Sequence, residues 1–478
     1  MAQRESQSLT CVLATLLLAG FLLRFTVAVH WPSLDYPDEV FESLEPAHHL
    51  AFGYGVMSWE WFAGVRSWVF PAVLAGLMRA TFWLGPGSRG YLHAIVAVLS
   101  LVSLTTVWFA FAWGRRARGA AAGILGAAAC AIWPPLVYFA PKAFNEVLAG
   151  NLLLPGLYLG IYSQGPREKL RLFLAGVFCG LATSLRVQLA PATGFAALYF
   201  CRSEWKRKAP VVLAGFLLPV LAFGVVDAFT WSYPFQSFLR YVWINLFAGK
   251  ASTFGTGPWY WYLLMLAKYL GPMFLLAFFG VRRSPFLGWV ALIVVASHSV
   301  IPHKEVRFLY PVLPLMLTLG ALGLAELLSF LTAHTRLQLS PRTALAFGLA
   351  LIALASAVLA RRFPRWNRNS GGLIVMDRLT DDASLCGVGL YHMSWVLTGG
   401  YVHLHQNVPM LEPHNLEQLQ AESSAFNALV VRGEPQPEVR GFARAGCWNE
   451  ACLFRRKGPC LKIAWPDEVT YMAAHERE

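Results

Sequence analysis

Charged side chains are scarce in this sequence. Asp, Glu, Lys and Arg make up 14% of its 478 residues, against about 25% in ordinary soluble domains. With 56% hydrophobic residues gathered into recurring long runs, that shortage excludes a soluble globular enzyme and reads as a polytopic membrane protein. Acids are scarcer than bases, 26 against 39. The net charge of +13 still does not call for nucleic acid, because Arg and Lys fall in short clusters between apolar runs, as orientation signals do. No tandem repeat or low-complexity segment stands out. No cysteine spacing suggests zinc. The N-terminal run has no clean small-residue cleavage site and carries Arg24 late, so an uncleaved first helix is expected in place of a signal peptide.

What is present fits the same reading. Eighteen Trp and sixteen Tyr suit two interfacial belts. Cys11, Cys130, Cys179 and Cys201 lie in apolar runs and read as small core residues. Cys386, Cys447, Cys452 and Cys460 lie in the polar C-terminal region, which would carry one or two disulfides in an oxidising compartment.

Basic loops at 114–119, 165–171, 201–208, 281–283 and 334–342 fix a topology if all are cytoplasmic. Spans are expected at 9–30, 91–113, 119–140, 146–163, 172–185, 188–201, 209–229, 259–280, 286–301, 308–332 and 343–360. Residues 66–84 read as a helix in the outer interface. The result is a polytopic α-helical membrane protein of about eleven transmembrane helices, with the N-terminus inside and the C-terminus outside. Residues 1–360 form the transmembrane catalytic domain, with 31–90 its first external loop. Residues 361–478 form a small extracytoplasmic α+β domain, β-like runs in the tail being punctuated by Gly and Pro. The Arg cluster at 361–368 is external in this scheme, against the charge rule.

The few acids are not spread evenly. "LDYPDEVFESLE" at 34–45 places Asp35, Asp38, Glu39, Glu42 and Glu45 directly after the first span. Ionisable groups near a bilayer are expensive unless wet, paired or functional. Pro37 disfavours helix at Tyr36, so a turn is expected before an amphipathic helix starting at Asp38 and Glu39. Glu42 and Glu45 read as its wet face, with His48 and His49 as interface residues, since neighbours on a helix point different ways. Asp38 and Glu39, held at a Pro-fixed turn, are the functional candidates.

A second polar cluster, "HSVIPHKEVRFLYP" at 298–311, sets His303, Lys304, Glu305 and Arg307 between two prolines. Its cations suit an anionic leaving group such as a lipid phosphate. Asn145, Glu146 and Arg186 are polar outliers assigned to the same face, either as a structural pair or as part of the site. "GTGPWYWYL" at 255–263 supplies Trp259 and Trp261, either as an interface belt or as a platform for a sugar or prenyl chain. Together these residues describe a carboxylate base, a phosphate cradle and aromatic holders. That chemistry is glycosyl transfer from a lipid-phosphate sugar.

The quoted motifs carry a family resemblance. "YPDEVFESLEPAHHLAFGYGVMSWEW" at 36–61, "RSWVFP" at 66–71 and "HKEVRFLYP" at 303–311 resemble glycosyltransferase family 22, in particular its GPI mannosyltransferase branch. The resemblance implies a GT-C membrane fold, a dolichyl- or polyprenyl-phosphate-mannose donor and inversion at the anomeric carbon. It implies that Asp38 takes the acceptor's proton, with Glu39 an alternative or helper. His303, Lys304 and Arg307, with Arg186, would bind the donor phosphate. Glu305, Trp59, Glu60, Arg66, Asn145, Glu146, Trp259 and Trp261 would line the substrates. The family's His-Pro-Asp-Glu motif has Tyr36 in place of its His, and Val306 replaces the second acid of His-Lys-Glu-Glu-Arg-Phe. Gly257 and Tyr260 depart from a stretch that is usually richer in His, so acceptor recognition differs there.

No cofactor is expected, and no divalent metal is required, since Lys304 and Arg307 can neutralise the leaving phosphate. The expected partners are the lipid bilayer, a polyprenyl-phosphate sugar and a glycan or glycolipid acceptor. Arg outnumbers Lys roughly three to one, and no Asn-X-Ser/Thr sequon lies on the expected external loops. Both point to a bacterium, and so to an inner membrane with the site facing the periplasm or exterior; in a eukaryote the site would face the ER lumen. A lipid-linked sugar flippase is the alternative. It should carry polar groups at mid-membrane and an internal repeat, whereas here the polar residues gather on one face.

Overall fold

The computed structural model describes residues 2–334, 340–433 and 438–461. The basic loop at 334–342 and the tail beyond 461 lie largely outside them. The chain forms two compact units, residues 1–26 with 97–363, and residues 27–96 with 364–478. The segment 31–90 thus clusters with the C-terminal residues.

The first unit is helical. Helices form where the apolar runs were read, but most are shorter than a bilayer crossing. Among the described residues five are long and apolar enough to span: 7–30, 89–118, 205–230, 306–333 and 341–362. A sixth is a bent pair, Trp261–Leu270 and Pro272–Val281, which turns through 104° at Gly271, whose φ of +52° disfavours a side chain. The runs at 119–140, 146–163, 188–201 and 286–301 become the shorter apolar helices Ala120–Ile132, Asn145–Ile161, Val187–Cys201 and Pro285–Val300. The first stops because Pro134 drives Trp133 into extended backbone.

Arg24 resolves the carbonyls that this stop leaves over. Fully buried, it donates to Gly20 O, Cys130 O and Ala131 O. A buried cation thereby sits at the negative end of a helix. Elsewhere the backbones meet closely. A Cβ on Gly280 would lie 1.9 Å from Leu319 O, and one on Gly323 1.9 Å from Leu276 O, the small-residue contact typical of helices packed in lipid. The basic loops pair off at their ends: Arg118 and Arg283 share Glu326, and Arg207 and Lys208 share Glu168.

In the second unit, residues from 388 onward build a five-stranded sheet: β1 (Val388–Tyr391), β2 (Met410–Leu411), β3 (Ala428–Arg432), β4 (Phe442–Trp448) and β5 (Ala451–Arg456). The order is β2-β1-β3-β5-β4. β1 pairs parallel with β2 and β3, and β5 pairs antiparallel with β3 and β4. β1 and most of β3 are buried continuously, as strands covered on both faces must be. One core gathers Tyr391, Leu419, Phe426, Leu429 and Val431. The β4–β5 hairpin turns through Asn449 at φ +49°, a conformation that Asn tolerates. Two disulfides, Cys386–Cys460 and Cys447–Cys452, staple the sheet. Both lie among the four cysteines expected to pair.

Candidate active site

The acidic motif belongs to the second unit. Val40 N and Phe41 N both bond to Pro37 O, at 2.9 and 3.0 Å, so the turn expected at Pro37 is present. A wide π-helical stretch, Glu39–Leu44, follows and leads into Glu45–Phe52. Asp38 stands at its N-terminal position and makes no side-chain capping bond. Asp38 and Glu39 are half-buried.

The rest of the motif is drier than the sequence suggested. The helical spacing predicts a wet face at Glu42 and Glu45, yet they are 7% and 0% exposed. Glu42 pairs with Arg66. The Glu45 carboxylate accepts from Val56 N at 2.9 Å and from Val402 N at 2.8 Å. The chain approaches it closely at Gly400, which has φ +64° and no room for a Cβ. Amphipathic spacing did not reveal this burial because the opposite face is covered by residues some 350 positions later. His48, read as an interface residue, is also fully buried. Its Nδ1 lies 2.9 Å from Tyr54 O and its Nε2 3.0 Å from His405 Nδ1. Burial, opposed by the Tyr54 carbonyl, pushes its pKa down to about 3. Asp35 pairs with Arg365 and Arg368, which gives two members of the 361–368 Arg cluster a local partner.

Asp38 has company. One carboxylate oxygen each from Asp38, Glu42 and Glu60 lie within 4.8 Å of one another, close enough to share a cation. The chain supplies one in Arg66, bonded to Glu42 and 3.9 Å from Glu60. Glu60 accepts from Ser58 Oγ at 2.7 Å. Burial raises its pKa against the pull of Arg66, and Asp38 adds to the rise. Arg66 and Glu60 therefore sit in the acidic nest. Trp59, also expected in the site, starts the short helix Trp59–Phe62 and is half-buried.

The basic motif belongs to the first unit, where the structure brings together the residues the sequence grouped. His303 Nε2 lies 3.1 Å from Glu305 Oε1, and Arg307 bonds the other Glu305 oxygen. Arg307 Nη1 reaches Glu146 at 3.3 Å, and Arg186 Nη1 lies 3.8 Å from the same carboxylate. Arg186 stacks 4.2 Å over the Phe308 ring, and Arg307 5.1 Å over that of Phe144. The bond to Glu305 raises the His303 pKa against burial. For Glu305, burial opposes ionisation, but Arg307 and His303 outweigh it and hold the pKa low.

Lys304 differs from its neighbours. Its ammonium donates to Ser299 O at 2.9 Å and to Ile301 O, lies 5.3 Å over the Tyr262 ring, and meets no carboxylate among the described residues. Burial lowers its pKa. The aromatic stretch is tied to this loop through Gly257 N to Pro302 O at 3.0 Å and His303 Nδ1 to Gly255 O at 2.9 Å. Trp259 is 70% exposed, and Trp261 is half-buried, as is Asn145 at the start of its helix. Two buried neighbours, Tyr262 and His298, were not singled out from the sequence. A lone His in an apolar helix was the available signal.

Residues 15–405 match the model of the Alg9-like mannosyltransferase family. The chain belongs to this family. It is 27% identical over 413 residues to GPI mannosyltransferase 3 of Yarrowia lipolytica, covering 83% of this chain and 76% of the relative. Against GPI mannosyltransferase 3 of Drosophila melanogaster it is 27% identical over 424 residues, covering 82% and 71%. Among solved structures it resembles ArnT from Cupriavidus metallidurans bound to undecaprenyl phosphate, with a TM-score of 0.62 at 12% identity over 92% of this chain and 97% of that one. It also resembles the Archaeoglobus fulgidus oligosaccharyltransferase, with a TM-score of 0.56 at 12% identity over 89% and 69%. At such identities the likeness establishes the fold, that of the GT-C enzymes. The protein is a membrane glycosyltransferase of a mannosyltransferase family, and the flippase alternative is not favoured.

Proposed function

We propose that this Alg9-like enzyme transfers a hexose, with mannose the best fit, from a polyprenyl- or dolichyl-phosphate sugar to a glycan or glycolipid on the non-cytoplasmic face. Asp38 takes the proton of the acceptor hydroxyl as its oxygen attacks the anomeric carbon, with Glu39 as helper. The bond from that carbon to the phosphate oxygen breaks, and the electron pair leaves with the lipid phosphate. A phosphodiester carrying one negative charge becomes a monoester carrying up to two. Cations that meet the second charge stabilise the transition state more than the ground state. Displacement from the face opposite the phosphate inverts the sugar.

The observation that carries this reading is the Lys304 ammonium. It is held on backbone carbonyls without a carboxylate, beside two arginines tied down by Glu146 and Glu305. A cation with uncompensated charge, flanked by fixed ones, suits an incoming phosphate. No divalent ion is needed for that step. The paired basic loops support a shared cytoplasmic end and eleven spans, counting the shorter apolar helices as crossings. The two disulfides support an oxidising compartment for residues 386–460, periplasmic in a bacterium.

The test is transfer of label from synthetic polyprenyl-phosphate-[³H]mannose into a crude envelope extract by purified, reconstituted protein. The proposal expects label in a larger glycan or glycolipid, and a severe loss with Lys304→Ala. Label that merely crosses the vesicle, or transfer directly from a nucleotide sugar, overturns it.

A further inference from the structure

Among the buried side-chain polar atoms of the first unit that have no hydrogen-bond partner among the described residues, four come from residues around the basic motif: Arg186 Nε, Gln188 Oε1, the Tyr262 hydroxyl and His298 Nε2. Buried polar groups are rarely left so. They are also neighbours. Gln188 lies two residues after Arg186, and Ser297 Oγ donates to its carbonyl at 3.1 Å, which sets His298 alongside. The His298 and Tyr262 rings lie 6.4 Å apart, and Lys304 covers the latter. His298 is 2% exposed and Tyr262 0%.

Their chemistry divides into two kinds. His298 Nδ1 lies 2.8 Å from Val294 O, and a carbonyl only accepts. The ring proton therefore sits on Nδ1, and Nε2 presents a lone pair. Gln188 commits its amide nitrogen to the Tyr241 hydroxyl at 2.7 Å, so its oxygen is a second acceptor. Arg186 Nε is a donor. The Tyr262 hydroxyl, with no partner of its own among the described residues, can give its proton. An ionised phosphate, which only accepts, would satisfy the donors and leave both acceptors bare. A hydroxyl gives and takes. Orphan donors and acceptors side by side ask for an anion bearing hydroxyl groups.

We propose that His298 and Gln188 are specificity-determining residues that accept hydrogen bonds from hydroxyls of the donor's sugar, while Tyr262, Arg186 and Lys304 hold its phosphate. This rests on the lipid-phosphate-sugar reading above and deepens it. The sugar is recognised in the membrane unit by neutral acceptors as well as by the cations of the basic motif.

The test is equilibrium binding to the full chain in nanodiscs. The probes are bare polyprenyl phosphate, polyprenyl-phosphate-mannose and its 2-, 3-, 4- and 6-deoxy analogues. For each of the two acceptors, His298 first, one deoxy analogue should bind the wild-type protein about 10- to 100-fold more weakly than the parent, because that acceptor is left buried and unpaired. His298→Leu should weaken the parent by a similar factor, bind that analogue as the wild type does, and leave bare polyprenyl phosphate unaffected. His298→Asn, which keeps an acceptor, should restore part of the discrimination, and Gln188→Leu should erase it at a different hydroxyl. A His298→Leu protein that keeps the full wild-type discrimination overturns the inference, since water then serves the nitrogen. So does one that loses bare lipid phosphate and every sugar alike. A wild-type protein that binds both lipids and ignores every deoxy position sinks this inference alone. One that binds neither sinks the transferase reading with it.

Discussion

His48 makes the second unit sensitive to acid. The Tyr54 carbonyl accepts from Nδ1–H, so Nε2 must accept from the Nδ1–H of His405. A proton on His48 would set two N–H groups against each other in a fully buried site ringed by Phe52, Tyr54 and Tyr91. The folded pKa is about 3 against an ordinary 6.5. The unfolded chain therefore takes up a proton below pH 6.5 that the folded chain refuses until about pH 3. The associated stability is intact above pH 6.5 and falls as pH drops through this window, by about 1.4 kcal/mol per pH unit. That amounts to about 2 kcal/mol between pH 6.5 and 5, and to about 5 kcal/mol over the whole range. His405, its pKa lowered by burial, acts in the same direction. Hydrogen exchange of the 45–56 and 400–405 peptides, corrected for intrinsic rates, reads the local opening. Opening should rise about 15-fold from pH 6.5 to 5 in the wild type and far less in His48→Gln. Equal pH slopes in the two proteins would refute the reasoning.

Other perturbations address the framework. Glu45→Ala leaves the Val56 and Val402 amides buried without an acceptor and should cost about 2–6 kcal/mol, visible as a collapse of denaturant midpoint. A loss under about 1 kcal/mol would mean that water replaces the carboxylate. Reducing Cys386–Cys460, whose cysteines are 74 residues apart, should destabilise the second unit by about 2–4 kcal/mol, and a melt unchanged by reductant contradicts this. Glu146→Ala strips the Arg186 and Arg307 guanidinium groups of a shared partner. It should lower thermal stability by about 3–5 kcal/mol, with a matching loss of donor binding.

The parts legible in the sequence were those governed by local pattern. Apolar runs located the helices, Pro37 located the turn before Asp38, and the density of 303–307 announced a polar cluster. The number of crossings was less legible, because Trp133–Pro134 and Gly271–Pro272 break runs that hydropathy treats as continuous. Burial of Glu42, Glu45 and His48 was invisible for a different reason. Their partners, Arg66, Val402 and His405, are set by tertiary approach, and composition cannot distinguish a wet acid from one that receives two backbone amides. Arg24 shows the same limit. Its charge argued only against a cleaved leader, whereas its place under the carbonyls of a broken helix depends on where Pro134 ends that helix. His298 and Tyr262 were hidden in apolar helices, where a polar residue signals only that some partner exists.

The account rests most heavily on Asp38 as the group that accepts the acceptor's proton. Single-turnover transfer from polyprenyl-phosphate-mannose by Asp38→Asn protein, with donor binding measured on the same sample, tests this directly. The amide preserves the shape and removes the basicity. Transfer should fall by about 10²- to 10⁴-fold while donor affinity stays at the wild-type level. Transfer at the wild-type rate would contradict the assignment.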